Sequence, residues 1–94
     1  MSIQVMSRVL KTSLGDPKRK LLLLALANYA DDRGYNVRPS IATMSRDTDM
    51  PESTLKRHLA RLRRDGYLEI TTLPGRRTPT VYRIVTIMLK PVGY

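Results

Sequence analysis

Cysteine is missing from this chain of 94 residues, so disulfides and thiolate metal sites are excluded and the redox compartment is left open. Histidine occurs once, as His58, which excludes a His-rich metal centre. Long apolar runs are missing too. The longest, Leu21–Ala27, falls far short of the roughly 20 residues a membrane-spanning helix needs. The opening stretch MSIQVMSRVLKT lacks the basic start, apolar middle and small-residue cleavage site of a secretory signal. These absences predict a soluble cytoplasmic protein with no metal, no other cofactor and no membrane partner.

Acidic side chains are scarce: 8 Asp and Glu against 17 Lys and Arg leave a net charge of +9. Such an excess says nothing about fold, but it favours an acidic partner, nucleic acid first and anionic membrane second. It is also uneven. After residue 50 only Glu52, Asp65 and Glu69 are acidic, against nine Lys or Arg. The length suits one domain with a single modest core. Residues 1–94 are therefore read as one domain with its core at about 16–87, without repeats, low-complexity segments or a linker.

Punctuation along the chain marks the elements. Gly15-Asp16-Pro17 is a helix start, with Asp16 as N-cap and Pro17 at the first helical position. The spacing predicts a helix from there to about Asp32, stopping at Gly34. Leu22, Leu23, Leu26, Ala27 and Ala30 form one apolar side, and Leu21 and Leu24 add a second, as expected of a buried central helix. Ile3–Leu14 suits a short amphipathic helix that could cover that second side. Asn36-Val37-Arg38 is at most a very short strand. Ser40 caps a helix over about 41–47, which Asp49-Met50-Pro51 breaks. A further helix starts at Glu52 or Ser53 and ends at Gly66, with Leu55, Leu59 and Leu62 as its apolar stripe. Two strand-like segments follow, 67–73 and 81–87, joined by the turn-forming stretch PGRRTPT at 74–80. A short helix, a tight break and a basic amphipathic helix form a helix-turn-helix, and the hairpin supplies a wing.

With those residues placed, the chain resembles a winged helix-turn-helix domain, most closely the type found at the start of phage and plasmid replication proteins and in related bacterial regulators. The stretch "RPSIATMS" stands where that family has Pro-Ser followed by an aliphatic-Ala pair. "MPESTLKRHLARLRRDGYL" is similar to its recognition helix and closing glycine. The resemblance covers roughly residues 17–85 and implies an α+β, mainly helical fold: a three-helix core, a C-terminal hairpin wing and room for a short N-terminal helix. It also implies DNA binding, without deciding the process served. Two positions depart from the pattern. Met44-Ser45 replaces the usual aliphatic-Ala pair, and Asp49 stands where the turn often has Gly. Asp tolerates left-handed backbone better than most residues, so the turn should survive.

A helical wheel sorts the charges at about 100° per residue. Leu59 and Leu62 fall within about 40° of Leu55 and fix the buried direction. Ser53, Arg57, Ala60 and Arg64 then face outward, with Thr54 and Arg61 bordering one side of that face and Lys56 the other. Arg63 lies near the buried stripe. In a helix-turn-helix, the first part of the recognition helix meets base edges in the major groove. Ser53, Thr54, Lys56 and Arg57 occupy that part of the helix at about 53–65. Arg57 best suits guanine, whose O6/N7 pair matches a guanidinium fork. Arg61 and Arg64 suit phosphates, as do Arg76 and Arg77 at the wing tip and Ser40 at a helix N-terminus. Lys18-Arg19-Lys20 is either a phosphate contact or a solvated helix end. His58, at the edge of the stripe, reads as a partly buried packing residue.

Nothing suggests catalysis or a small-molecule substrate. No nucleophile-and-orienter set surrounds His58, Asp31 and Asp32 diverge by about 100° on a helix, and no Walker-type loop occurs. The tyrosines, Tyr29, Tyr35, Tyr67, Tyr82 and Tyr94, are the sole aromatics and form no row of stacking platforms, which favours duplex over single strands. The expected partner is therefore double-stranded DNA, read sequence-specifically in replication initiation or transcription regulation, in a phage, plasmid or mobile-element setting within the bacterial cytoplasm or nucleoid. The alternative is an assembly module whose basic face meets an acidic protein. The surplus apolar side of the central helix, with Ile84–Leu89, is either a homodimer interface or a surface covered by the N-terminal segment.

Overall fold

The computed structural model describes residues 1–91; residues 92–94, including Tyr94 and the end of the tail, lie outside the described residues. Helices α1 (Ile3–Lys11), α2 (Pro17–Ala27), α3 (Ile41–Thr48) and α4 (Glu52–Arg64) are followed by strands β1 (Leu68–Thr72) and β2 (Val81–Ile84) and a 3-10 turn at Thr86–Met88. Asp16 starts α2 as its spacing predicts: Oδ1 accepts hydrogen bonds from the Lys18 and Arg19 amides at 2.8 and 3.2 Å.

The helix ends at Ala27, earlier than the predicted Asp32. Past Ala27 the ladder tightens, the Tyr29 and Ala30 amides bonding the Leu26 and Ala27 carbonyls at 3.0 and 3.2 Å, and Asp31 then keeps the helix from resuming. Its Oδ1 accepts from the amides of Arg33 and Tyr35 at 3.0 and 2.9 Å, and its Oδ2 from Asn36 Nδ2 at 3.0 Å. These local bonds compete with the helical ladder and fold the chain into a turn. They also hold the Asp31 carboxyl below its usual pKa, the Tyr35 amide contributing most. At the end of this turn Gly34 sits at φ +87°, its carbonyl accepting from the Ile84 amide at 2.7 Å. A Cβ on Gly34 would lie 2.3 Å from the Ile84 carbonyl oxygen, so glycine is required for this close approach.

Around α2 the molecule closes on itself. Leu22, Leu23, Leu26 and Ala27 are fully buried, and α1, α3 and α4 each pack against it. From α1, Val5 and Val9 enter the core. Its Arg8 guanidinium donates to the carbonyls of Thr86 and Leu89 at 2.9 and 3.0 Å, tying the first helix to the last described segment. Much of the surplus apolar surface of α2 is thus covered from within the chain, although Leu21 stays 42% exposed.

Between α3 and α4 the chain reverses in a short turn. Asp49 takes left-handed backbone there, φ 56° and ψ 25°, the conformation that Asp was expected to tolerate. Met50 is buried, and its carbonyl accepts from Ser45 Oγ. Met44 fills the core as well, so the departure at Met44-Ser45 leaves packing intact.

The hairpin pairs Leu68 with Ile84 and Ile70 with Tyr82, with a register irregularity between Ile70 and Thr72. Both strands are shorter than predicted, and β2 stops at Ile84 rather than Ile87. The 3-10 turn redirects the chain so that Leu89 returns to the core. The segment 36–38, expected to be at most a very short strand, makes one bridge, in which Val37 and Tyr82 exchange backbone hydrogen bonds of 3.0 and 2.8 Å. Tyr82 is buried and Tyr67 packs against the same core. The result is an α+β, mainly helical winged helix-turn-helix with an added N-terminal helix.

Candidate nucleic-acid interface

The amphipathic pattern of α4 carries directly into its orientation. Leu55, Leu59 and Leu62 are buried against the core, joined by His58. On the opposite side Ser53, Lys56, Arg57, Ala60, Arg61 and Arg64 are exposed. Thr54 is half-buried, so of the four residues expected at base edges it has the least free surface. Arg63, near the buried stripe, lines a separate hollow with Leu68 and Ile70 of the hairpin.

Arg57, Arg61 and Arg64 recur at i, i+4 and i+7, and the fold gathers them along one cleft with Arg19 from the first turn of α2. Asp16, His58 and Ala60 complete its lining. The run Lys18-Arg19-Lys20 is divided by the fold. Arg19 joins the α4 arginines, while Lys20 lies across α2 beside Lys11 and Leu14. The helical wheel of α2 separates these two side chains by about 100°. Only the packing of α2 on α4 shows which of them meets the basic helix.

Charge balance in the cleft is lopsided. Arg61 Nε lies 3.0 Å from Asp65 Oδ2 and Arg64 Nε 3.9 Å from Oδ1, exposed pairs of the kind that contribute little in water. Asp16 is engaged by backbone amides, the Arg19 amide foremost, which holds its carboxyl below the usual pKa. His58 is 6% exposed. Burial pushes its pKa below the ordinary value, Asp16 opposes that effect, and Arg57, Arg19 and Lys18 reinforce it. The packing role expected of it is therefore seen, with the ring buried rather than partly buried, in the same cleft as the arginines.

The remaining candidates lie elsewhere. Ser40 Oγ caps α3, accepting from the Thr43 amide at 3.1 Å, and borders a hollow shared with Pro79, Thr80 and Tyr82 at the base of the hairpin. Arg76 and Arg77 are exposed at the hairpin tip, in a turn closed by the Gly75 amide donating to the Thr78 carbonyl at 3.0 Å. Neither arginine enters the α2–α4 cleft. Among the described residues no group of three or more His, Asp or Glu side chains converges as a metal site would require. None of the described helices is long and apolar enough to cross a membrane.

Residues 16–68 match the family described as helix-turn-helix domain. The chain belongs to that family. DNA binding follows from membership, and helix-turn-helix domains of this kind are generally not enzymes. The matched segment runs from the cap of α2 to the first residue of β1, so it includes α3, the turn and α4 and leaves out the wing. No match was found among characterised proteins or solved structures.

Proposed function

We propose that this helix-turn-helix domain recognises a specific duplex sequence by laying the exposed face of α4 in the major groove. One observation carries the reading: Ser53, Lys56, Arg57, Ala60, Arg61 and Arg64 are all exposed opposite the buried Leu stripe. In this reading Ser53, Thr54, Lys56 and Arg57 meet base edges, Arg57 by a bidentate contact with guanine. Arg61, Arg64, Ser40, Arg76 and Arg77 hold the backbone, the last two from the wing. The domain acts without catalysis in the bacterial cytoplasm, in replication initiation or transcription regulation of a phage, plasmid or other mobile element. A second copy would dock on the apolar surface left around Leu21, pairing two recognition helices on a two-fold site.

Selection of bound sequences from a random duplex pool, followed by salt titration on the enriched site, tests this reading. Contacts with on the order of six phosphates give a log–log salt slope near about −5. A flat salt response, or a pool without enrichment, removes sequence-specific binding. Inverted repeats among the selected sites support a dimeric regulator, and single or directly repeated sites an initiator.

A further inference from the structure

We propose that the cleft between the first turn of α2 and the flank of α4 seats a DNA backbone phosphate, with Arg19 acting together with Arg61 and Arg64 while Arg57 at its edge keeps its base contact. The proposal rests on the DNA-binding reading and deepens it, because Arg19 lies outside the helix-turn-helix pair α3 and α4. It also changes the role of the α4 arginines. They form one wall of an anion seat as well as an outward ridge.

The cleft measures about 510 Å³, enough for a phosphodiester group with water still around it. Four arginines line it, and Asp16 is the one acidic residue of its lining. Arg19 is held at the wall because its Nη1 donates to the Leu14 carbonyl at 3.1 Å. Like charges gathered this closely repel one another, and an anion placed among them relieves the repulsion. The geometry also suits phosphate better than a base edge. Arginines from two different helices converge on a space beside the recognition face, where a groove-bound duplex carries its backbone.

His58 lines the same cleft and is the chain's single histidine, so it serves as a built-in reporter. Asp16, Lys18 and Arg19 face it from α2, and Arg57 from α4. A phosphate seated among these groups adds negative charge beside the ring and raises its proton affinity. DNA can remove little further water from a side chain already 6% exposed, so charge decides the direction of the change. At physiological salt, screening acts over about 8 Å, which confines the effect to phosphates near the cleft.

The test is an NMR pH titration of His58 in the full chain, free and saturated with a random-sequence duplex, in a phosphate-free buffer. The expected result is a rise in its pKa on the order of one unit upon DNA binding. No change, or a fall, overturns the proposal, the fall meaning that DNA covers the ring without placing a phosphate there. The same titration with inorganic phosphate replacing DNA separates the two sources of the anion. An equal rise at millimolar phosphate would assign the seat to a free anion and overturn the DNA assignment.

A mutational arm reads the same contact independently. Arg19→Ala should flatten the log–log salt slope by about one and weaken all duplex sequences alike. Arg33→Ala removes equal charge in the turn beyond α2 and should leave the slope unchanged. Equal effects from both variants overturn the cleft contact while leaving DNA binding intact. Absence of duplex binding by the unmutated chain at low salt would overturn both readings. Thermal unfolding of Arg19→Ala checks that loss of the Leu14 bond has not loosened the fold, and the NMR arm needs no substitution.

Discussion

Helices α2 and α4 have opposite relations to their surroundings. α2 is apolar on more than one side and has α1, α3 and α4 packed around it. α4 has one apolar stripe and one cationic face, and the cationic face is left exposed. Placing a helix at the centre requires several covering partners, whereas placing one at the edge requires a single buried stripe. The contrast separates stability from recognition: removing side chains from α2 should unfold the domain, and removing them from the outside of α4 should disarm it.

The largest effect that could break this contrast is a truncation in α2. Leu26→Ala leaves a cavity in a fully buried position and should cost about 2–5 kcal/mol of stability. Chemical denaturation checks it; a loss below about 1 kcal/mol would show that α2 is not the packed centre. Next is Arg57→Ala in α4. It should leave the unfolding midpoint nearly unchanged, weaken binding to the selected site by roughly 1–3 kcal/mol and relax base preference nearby. Equal weakening on every sequence would make Arg57 a phosphate contact instead.

His58 sharpens the comparison because it belongs to α4 but is buried like a residue of α2. Its folded-state pKa is depressed, chiefly by burial. The unfolded chain therefore binds the proton more readily, and His58 contributes stability that is complete above about pH 6.5. That contribution is lost as the pH falls from there through the depressed folded value. Stability curves for the natural chain and His58→Gln should draw apart over this window, the natural chain losing more. Parallel curves would mean that the ring titrates as if solvated.

The smallest expected effect concerns Asp65, which holds Arg61 at 3.0 Å. Asp65→Asn frees that guanidinium and removes a negative charge near the phosphates. A few-fold gain in affinity on all duplex sequences is expected, in keeping with the modest strength of exposed ion pairs. Anisotropy titrations would detect it, and unchanged affinity would place Arg61 outside the DNA contact.

Much of the fold was legible because local chemistry and periodicity agree. Asp16-Pro17 starts α2, Ser40 starts α3, and the spacing of Leu55, Leu59 and Leu62 orients α4, all through interactions within a few residues. Failures occurred where two local options compete or where a distant partner decides. After α2 ends at Ala27, Asp31 holds the chain in a turn through side-chain bonds that a periodicity pattern cannot register. β2 ended early because Leu89 has a place in the core and the Thr86 and Leu89 carbonyls have a donor in Arg8, many residues away in sequence.

The candidate interface divides along the same line. Which side of α4 is basic and which is buried follows from residue spacing, since an α-helix turns about 100° per residue whatever surrounds it. Arg19 beside Arg57, Arg61 and Arg64, and His58 beneath them, depended on how α2 and α4 pack. No spacing rule links residues nearly forty positions apart. Contacts of that range are set by the packing of whole helices, and the chemistry of the cleft is a property of that packing.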